Sequence, residues 1–402
     1  MGTASASDRI YSIDVFRGFT MLMMVFVNDL AGISDIPAWM KHVAADADAM
    51  TFVDVVFPAF LFIVGMSIPL ALRQRIKKGE DAKTIAWHLF VRTAGLLLLG
   101  FFMVNSEEMN AALNPIPKRI WGLSFLAAVI IIWNQYRYEW SDQKPWLPWL
   151  LRGIGGAVLI FLAFNFQKGT VEAPSGMTPS WWGILGLIGF AYAIAMAVYT
   201  LFQGNRTALA GMIGLFMLMV LGIKSKELVF PGWLNWLQGW SGHFAHATLV
   251  LAGALTTLFV VDGFRNERDQ KNQKLLLLLV ILPVLFSLAA WFVRPYFGIS
   301  KIHATPSWVL YCIAICSFVY GIFYWIIDVN GARSWANFLK PAGANPLLTY
   351  ILPNIFYAIV GWGFWPEALS TGAAGFFRSV FFAFFILGIA AILTRYKIKL
   401  HL

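Results

Sequence analysis

The 402-residue sequence is 59% hydrophobic and 12% charged, with a mean hydropathy of +0.70 and a net charge of +10. Soluble domains carry about a quarter charged residues, so lipid is the expected solvent for most of this surface and no large soluble domain fits. No basic arm with interleaved aromatics stands outside the apolar stretches, which excludes nucleic acid as an expected partner and assigns the positive excess to membrane orientation.

Apolar stretches of about 17 to 25 residues, each able to cross roughly 30 Å of hydrocarbon as a helix, recur along the chain. Spans are expected at about 10–30, 53–72, 85–104, 119–133, 148–164, 181–202, 207–223, 243–261, 275–293, 307–327, 344–361 and 374–394, with the Trp-rich run Pro231–Trp240 lying at the interface. The fold class is therefore an all-α integral membrane protein, a polytopic bundle of about 10–12 transmembrane helices. Without an internal repeat or low-complexity linker, residues 1–402 read as one domain.

Met1–Asp8 is polar and lacks the basic and apolar regions of a secretory signal, so the first span is expected to remain as an anchor. That span carries Asp14 and Arg17, three apart on one helix face. They form either a helix-end ion pair or a site where Arg17 meets the phosphates of an anionic cofactor. At the other end stands Asn28, either a helix C-cap or an amide able to donate to a developing oxyanion. An acidic loop follows, with Asp29, Asp35, Asp46 and Asp48 against Lys41, and it contains His42. An imidazole suits proton removal near neutral pH, so His42 is either a solvated loop residue or a general base. Asp54 opens the second span and either orients His42 or caps the helix.

Pro58 and Pro69 flank Gly65 in the second span, marking a kink or a broken helix beside a cavity. Arg73, Arg75, Lys77, Lys78 and Lys83 follow it, Arg265, Arg268, Lys271 and Lys274 follow the eighth span, and Arg395, Lys397 and Lys399 close the chain. The positive-inside rule then places both termini in the cytoplasm. Gly183, Gly186 and Gly189 lie in an apolar helix and read as close packing rather than a nucleotide loop. His243 and His246 share a helix face without a third ligand, so no metal is expected. Lys301 and His303 lie in a polar stretch on the outer side that either lines an acceptor pocket or begins the tenth span. Cys312 and Cys316, one helical turn apart in an apolar run, read as core packing.

Three segments carry a specific resemblance: Ser12-Ile13-Asp14-Val15-Phe16-Arg17-Gly18, Met24-Val25-Phe26-Val27-Asn28, and Asp54-Val55-Val56-Phe57-Pro58-Ala59-Phe60-Leu61-Phe62-Ile63-Val64-Gly65. Together they resemble the opening signature of the heparan-α-glucosaminide N-acetyltransferase family, its bacterial branch included. Lys301 through Trp308 and Lys340-Pro341-Ala342-Gly343-Ala344-Asn345-Pro346 are similar to later motifs of the same family.

The resemblance implies a transmembrane acyltransferase-like homodimer in the bacterial inner membrane. It would move acetyl from cytoplasmic acetyl-CoA to the amino group of a glucosamine-type sugar outside. Its catalytic histidine and asparagine map onto His42 and Asn28, with Asp54 beside them. Arg17, Asp14, Arg75, Lys340 and Asn345 become the expected coenzyme A residues, and Asp46, Asp48, Lys301 and His303 the expected acceptor residues. The turn after the family's histidine differs here, where His42-Val43-Ala44-Ala45-Asp46 stands in place of a Trp-Asn-Gly-like sequence. Two other functions share these features: a saccharide transporter without chemistry, and O-acetylation of an exported polysaccharide.

Overall fold

The computed structural model describes residues 10–137, 139–227, 229–262, 270–361 and 363–401. Arg265 and Arg268 of the expected basic loop, and the polar N-terminal stretch, lie outside the described residues. Fifteen α-helices appear among the described residues: α1 (Tyr11–Leu30), α2 (Val53–Lys77), α3 (Ala82–Glu108), α4 (Lys118–Trp133), α5 (Glu139–Gln143), α6 (Trp146–Phe164), α7 (Gly183–Leu201), α8 (Arg206–Lys224), α9 (Ser241–Asp262), α10 (Gln270–Leu276), α11 (Leu282–Phe297), α12 (Pro306–Tyr324), α13 (Lys340–Ala344), α14 (Pro346–Val360) and α15 (Gly372–Arg395). The two strands, Lys168–Gly169 and Pro174–Ser175, pair antiparallel in a short surface hairpin.

Among the described residues nine helical stretches are long and apolar enough to cross a membrane, or ten if Ser334–Ala344 and Pro346–Val360 count as one span bent by 77°. The protein is an all-α polytopic membrane protein. Two expected spans fall outside this set: α1 carries Asp14, Arg17 and Asp29, and α4 has 16 residues. The bend has a local cause. A residue preceding proline is pushed out of the helical region, and Asn345 before Pro346 sits at φ −138°, ψ 58°.

The contacts divide the chain into two compact units. The first draws on Met1–Thr20, Pro37–Leu89 and Phe190–Gly343, and its core is the pair α2 and α9. A Cβ on Gly65 would stand 1.8 Å from the Val250 carbonyl oxygen, and one on Gly253 would stand 1.9 Å from that of Phe62. These two glycines let the backbones touch, which is how lipid-embedded helices gain packing energy when hydrophobicity no longer separates inside from outside. α2 runs unbroken through Pro58 and Pro69. Proline at 58 leaves the Asp54 carbonyl without its helical donor, and the Trp308 indole N–H of α12 donates to it at 3.3 Å. Cys312 and Cys316 are free and buried in α12, as the apolar run predicts.

The second unit draws on Met21–Ile36, Phe90–Gly189 and Ala344–Leu402. Trp121 is its fully buried anchor, stacked near Phe102 and Phe125 and donating its indole N–H to the Leu162 carbonyl. Gly100 meets Trp182 and Gly186 backbone at under 3 Å from a built Cβ, so the glycines of α7 provide the close approach expected from their spacing.

Candidate active site

In the first unit, α2 begins one turn after the loop that carries His42. Asp54, in the first turn of α2, is buried with 3% of its side chain exposed, whereas His42 is 42% exposed. His42 Nδ1 stands 2.7 Å from Asp54 Oδ1. The other carboxylate oxygen accepts the Thr51 and Val43 backbone N–H groups at 3.2 and 3.4 Å, so Asp54 both orients the imidazole and ties the turn before α2. With Nδ1 donating to the carboxylate, the Nε2 lone pair is left for a proton, and Nε2 has no hydrogen bond among the described residues.

Lys301 closes a triangle. Its Nζ lies 3.3 Å from His42 Nδ1 and 4.0 Å from Asp54 Oδ1. Burial pushes the Lys301 ammonium below the ordinary lysine range, and the Asp54 carboxylate opposes that shift. The loop between α11 and α12 delivers this lysine and is fastened to the His42 loop along its length. Arg294 Nε donates to both Asp48 carboxylate oxygens at 3.1 Å, and the Ile299 N–H donates to Asp48 at 2.7 Å. Ser300 Oγ donates to the Ala45 carbonyl at 2.6 Å, and His303 Nε2 pairs with Asp46 at 3.1 Å. Gly298 makes the turn possible at φ +62°, with Asp48 lying against it.

The structure therefore gathers His42, Asp54, Lys301, His303, Asp46 and Asp48 into one corner of the first unit. It also separates their roles. Asp48, expected to bind the acceptor, spends its carboxylate on Arg294 and Ile299 and acts as a clasp. Asp46, 96% exposed, retains an open face beside His303.

Beneath this corner His246 packs edge-on against Phe57 and Trp308, and His243 lies against Phe190 and Trp240. Each Nδ1 is buried with no hydrogen bond among the described residues. Among the described residues no group of three His, Cys, Asp or Glu side chains is placed to hold a metal ion.

The residues expected to hold coenzyme A are dispersed. Ser67 follows Asp54 by 13 positions, about 20 Å along α2. There Arg17 donates to Ser67 Oγ at 2.8 Å and to the Gly343 carbonyl at 3.3 Å, with Asp14 at 3.5 Å. α13 crosses α1 at this point, since a Cβ on Gly343 would stand 2.7 Å from the Asp14 carbonyl oxygen. Lys340, exposed at the start of α13, thus belongs to the neighbourhood of Arg17. Arg75 pairs instead with Glu80 at 2.6 Å.

Asn345, in the second unit, is fully buried. Its Nδ2 donates to Thr394 Oγ1 and the Ile398 carbonyl, and its Oδ1 accepts the Leu400 N–H. Both amide hydrogens are spent on the C-terminal segment, so Asn345 has no donor left for a cofactor and serves as its anchor. Also in the second unit, Asn28 is exposed in the last turn of α1 and makes no hydrogen bond with the described residues.

A family described as a domain of unknown function, DUF5009, matches residues 9–236, more than half of this chain. The chain belongs to the DUF5009 family. The matched range contains α1, α2 and the His42 loop. Over 113 residues this DUF5009 chain is 35% identical to heparan-α-glucosaminide N-acetyltransferase of Homo sapiens, covering 27% of this chain and 15% of the relative. The Mus musculus enzyme of the same name is 32% identical over 113 residues, covering 28% of this chain and 16% of the relative. The match thus spans about one-sixth of these curated relatives. Over that share of their length the match supports a family relationship with these enzymes.

Proposed function

We propose that this protein is a transmembrane acetyltransferase that takes acetyl from cytoplasmic acetyl-CoA and transfers it to the amino group of a glucosamine-type sugar on the outer side. The observation that carries the reading is the half-exposed His42 imidazole, held through Nδ1 by a buried carboxylate while Nε2 makes no hydrogen bond among the described residues. Bound acetyl-CoA would supply an activated thioester, and the chain's own residues supply the rest.

As the amine forms its bond to the acetyl carbon and the carbon–sulfur bond of the thioester breaks, His42 Nε2 would take the amine proton and pass it to the departing coenzyme A thiolate, with Asp54 stabilising the transient imidazolium and fixing the tautomer. Lys301 and His303 border the acceptor's approach, and the Asp46 carboxylate attracts a cationic amino sugar. Asn28 donates its amide to the oxygen on which charge develops. Arg17 and Lys340 are the residues suited to coenzyme A phosphates, because a guanidinium fork and an exposed ammonium complement such anions. The same reading places the protein in a bacterial inner membrane as a homodimer with both termini cytoplasmic, acting as a single acyltransferase domain.

The test is direct. Purified protein in detergent, given labelled acetyl-CoA and glucosamine, should form N-acetylated product, and His42→Ala should abolish it. A full rate in His42→Ala removes the mechanism. An O-acetylating enzyme would acetylate a polysaccharide and leave glucosamine untouched. The 77° bend at Asn345 favours a second reading, a saccharide transporter, because broken spans commonly frame substrate paths. That reading requires uptake of labelled glucosamine into proteoliposomes without acetyl-CoA.

A further inference from the structure

The most heavily bonded buried charge in the second unit lies beside Asn28. The Asp29 carboxylate accepts from Arg378 Nη2 at 2.9 Å, Ser379 Oγ at 2.6 Å and the Tyr357 hydroxyl. Arg378 also donates to Ser370 Oγ at 3.4 Å and lies over the Trp365 ring, 5.3 Å from its centroid. The Trp365 indole N–H in turn donates to the Tyr357 hydroxyl at 3.1 Å. Asp29 and Arg378 expose only 2% and 7% of their side chains.

Charges withdrawn this far from water persist only where many partners meet them, so α14 and α15 grip one point of α1, its last turn. Helix ends fray when nothing holds them. Successive helix residues point about 100° apart, so fixing the Asp29 carboxylate inward also fixes the direction of the Asn28 amide. That amide is exposed and makes no hydrogen bond with the described residues.

We propose that the Asp29–Arg378 clamp is the positioning device for the Asn28 carboxamide, with Tyr357 and Ser379 as its supporting donors. The inference rests on the reading of Asn28 as the group that donates to the reacting carbonyl. None of the four clamp residues touches the reacting atoms. They act through the last turn of α1.

Two measurements test it, and the first needs no turnover. A nitroxide on Asn28→Cys, in a chain carrying Cys312→Ala and Cys316→Ala, reports the mobility of that turn by electron paramagnetic resonance. Ser379→Ala and Tyr357→Phe keep the ion pair, and each should sharpen the spectrum. Arg378→Met should do so further, and Arg378→Lys should restore much of the order. Spectra unchanged in all four variants would overturn the proposal.

The second measurement is a double-mutant cycle on acetyl transfer. Arg378→Met should lower kcat about 10- to 100-fold, the cost of a small misplacement, with acceptor KM within about twofold. In an Asn28→Ala background it should add no further loss. Fully additive losses would show a clamp that does not work through Asn28 and would also overturn the proposal. A mobility response in a wild type that transfers no acetyl would support the clamp and discard the acetyltransferase reading alone.

Discussion

The corner at His42 and the cluster at Asp29 both place an aspartate at a helix end beside a cation, and they differ in what each leaves unbonded. At His42 the carboxylate is buried but the imidazole is half-exposed, and Nε2 has no hydrogen bond among the described residues. At Asp29 three donors converge on one carboxylate and both charges are buried. The first arrangement leaves an imidazole nitrogen open to a further partner. The second fastens α14 and α15 to the last turn of α1 in a buried setting, where a lost partner is expensive. Intramembrane charge is thus a weak sign of chemistry until the satisfied atoms have been counted.

The largest effects should separate the two regions cleanly. His42→Ala should cost about 10²- to 10⁴-fold in transfer rate, the usual contribution of a positioned base, with a smaller loss of stability in detergent than Arg378→Met, because the Thr51 and Val43 N–H groups still meet the Asp54 carboxylate. Arg378→Met should do the opposite to the fold, lowering stability by about 3–5 kcal/mol because it strands the Asp29 carboxylate in a buried site. Unfolding in graded denaturing detergent measures this, and a value near zero would erase the distinction.

A smaller effect tests the clasp on the His42 loop. Arg294 and Asp48 are about half exposed, so Arg294→Ala should cost less than about 1 kcal/mol of stability. It should nevertheless lower kcat severalfold, and exchanging the two charges as Asp48→Arg with Arg294→Asp should recover much of the rate. Unchanged kcat in Arg294→Ala would leave the loop positioned by Ile299, Ser300 and His303 without Arg294.

The smallest effect concerns pH. Lys301 is depressed by burial, so between its folded and unfolded pKa values the unfolded chain binds more protons and stability rises with pH. The penalty is complete below the folded value and relieved as pH climbs through the alkaline range. The stability of the wild type relative to Lys301→Met should therefore improve on going from neutral to alkaline pH. A flat difference would place Lys301 in a fully hydrated setting.

Much of this was legible in the residues. Apolar length predicts the membrane helices, Gly183, Gly186 and Gly189 the tight approach of α7, and the four-residue spacing of Cys312 and Cys316 a pair of core residues. His42 and Asp54 could be nominated because each is an ionisable group close to an apolar span. What the residues do not show has equally local causes. Asp48 stands in a loop, and its partner Arg294 lies almost 250 positions away. The partners of Asn345 lie in the C-terminal segment. The signal for Arg378 was present, an arginine at the seventh position of an apolar helix, but its partner Asp29 stands next to an acidic loop in the sequence.

The sequence by itself determined the membrane class, the positions of most spans, the family motifs in α1 and α2, and the histidine and carboxylate that could do chemistry. The membrane class and the spans follow from composition, length and periodicity, and the motifs from resemblance to a known family, all of them carried by neighbouring residues. Only the tertiary structure decided that Lys301 joins His42 and Asp54, that Trp308 replaces the donor Pro58 lacks, and that Asp29 is locked by Arg378. Such pairings depend on helices hundreds of residues apart meeting in lipid, where water offers a buried polar atom no substitute for a partner across the bundle.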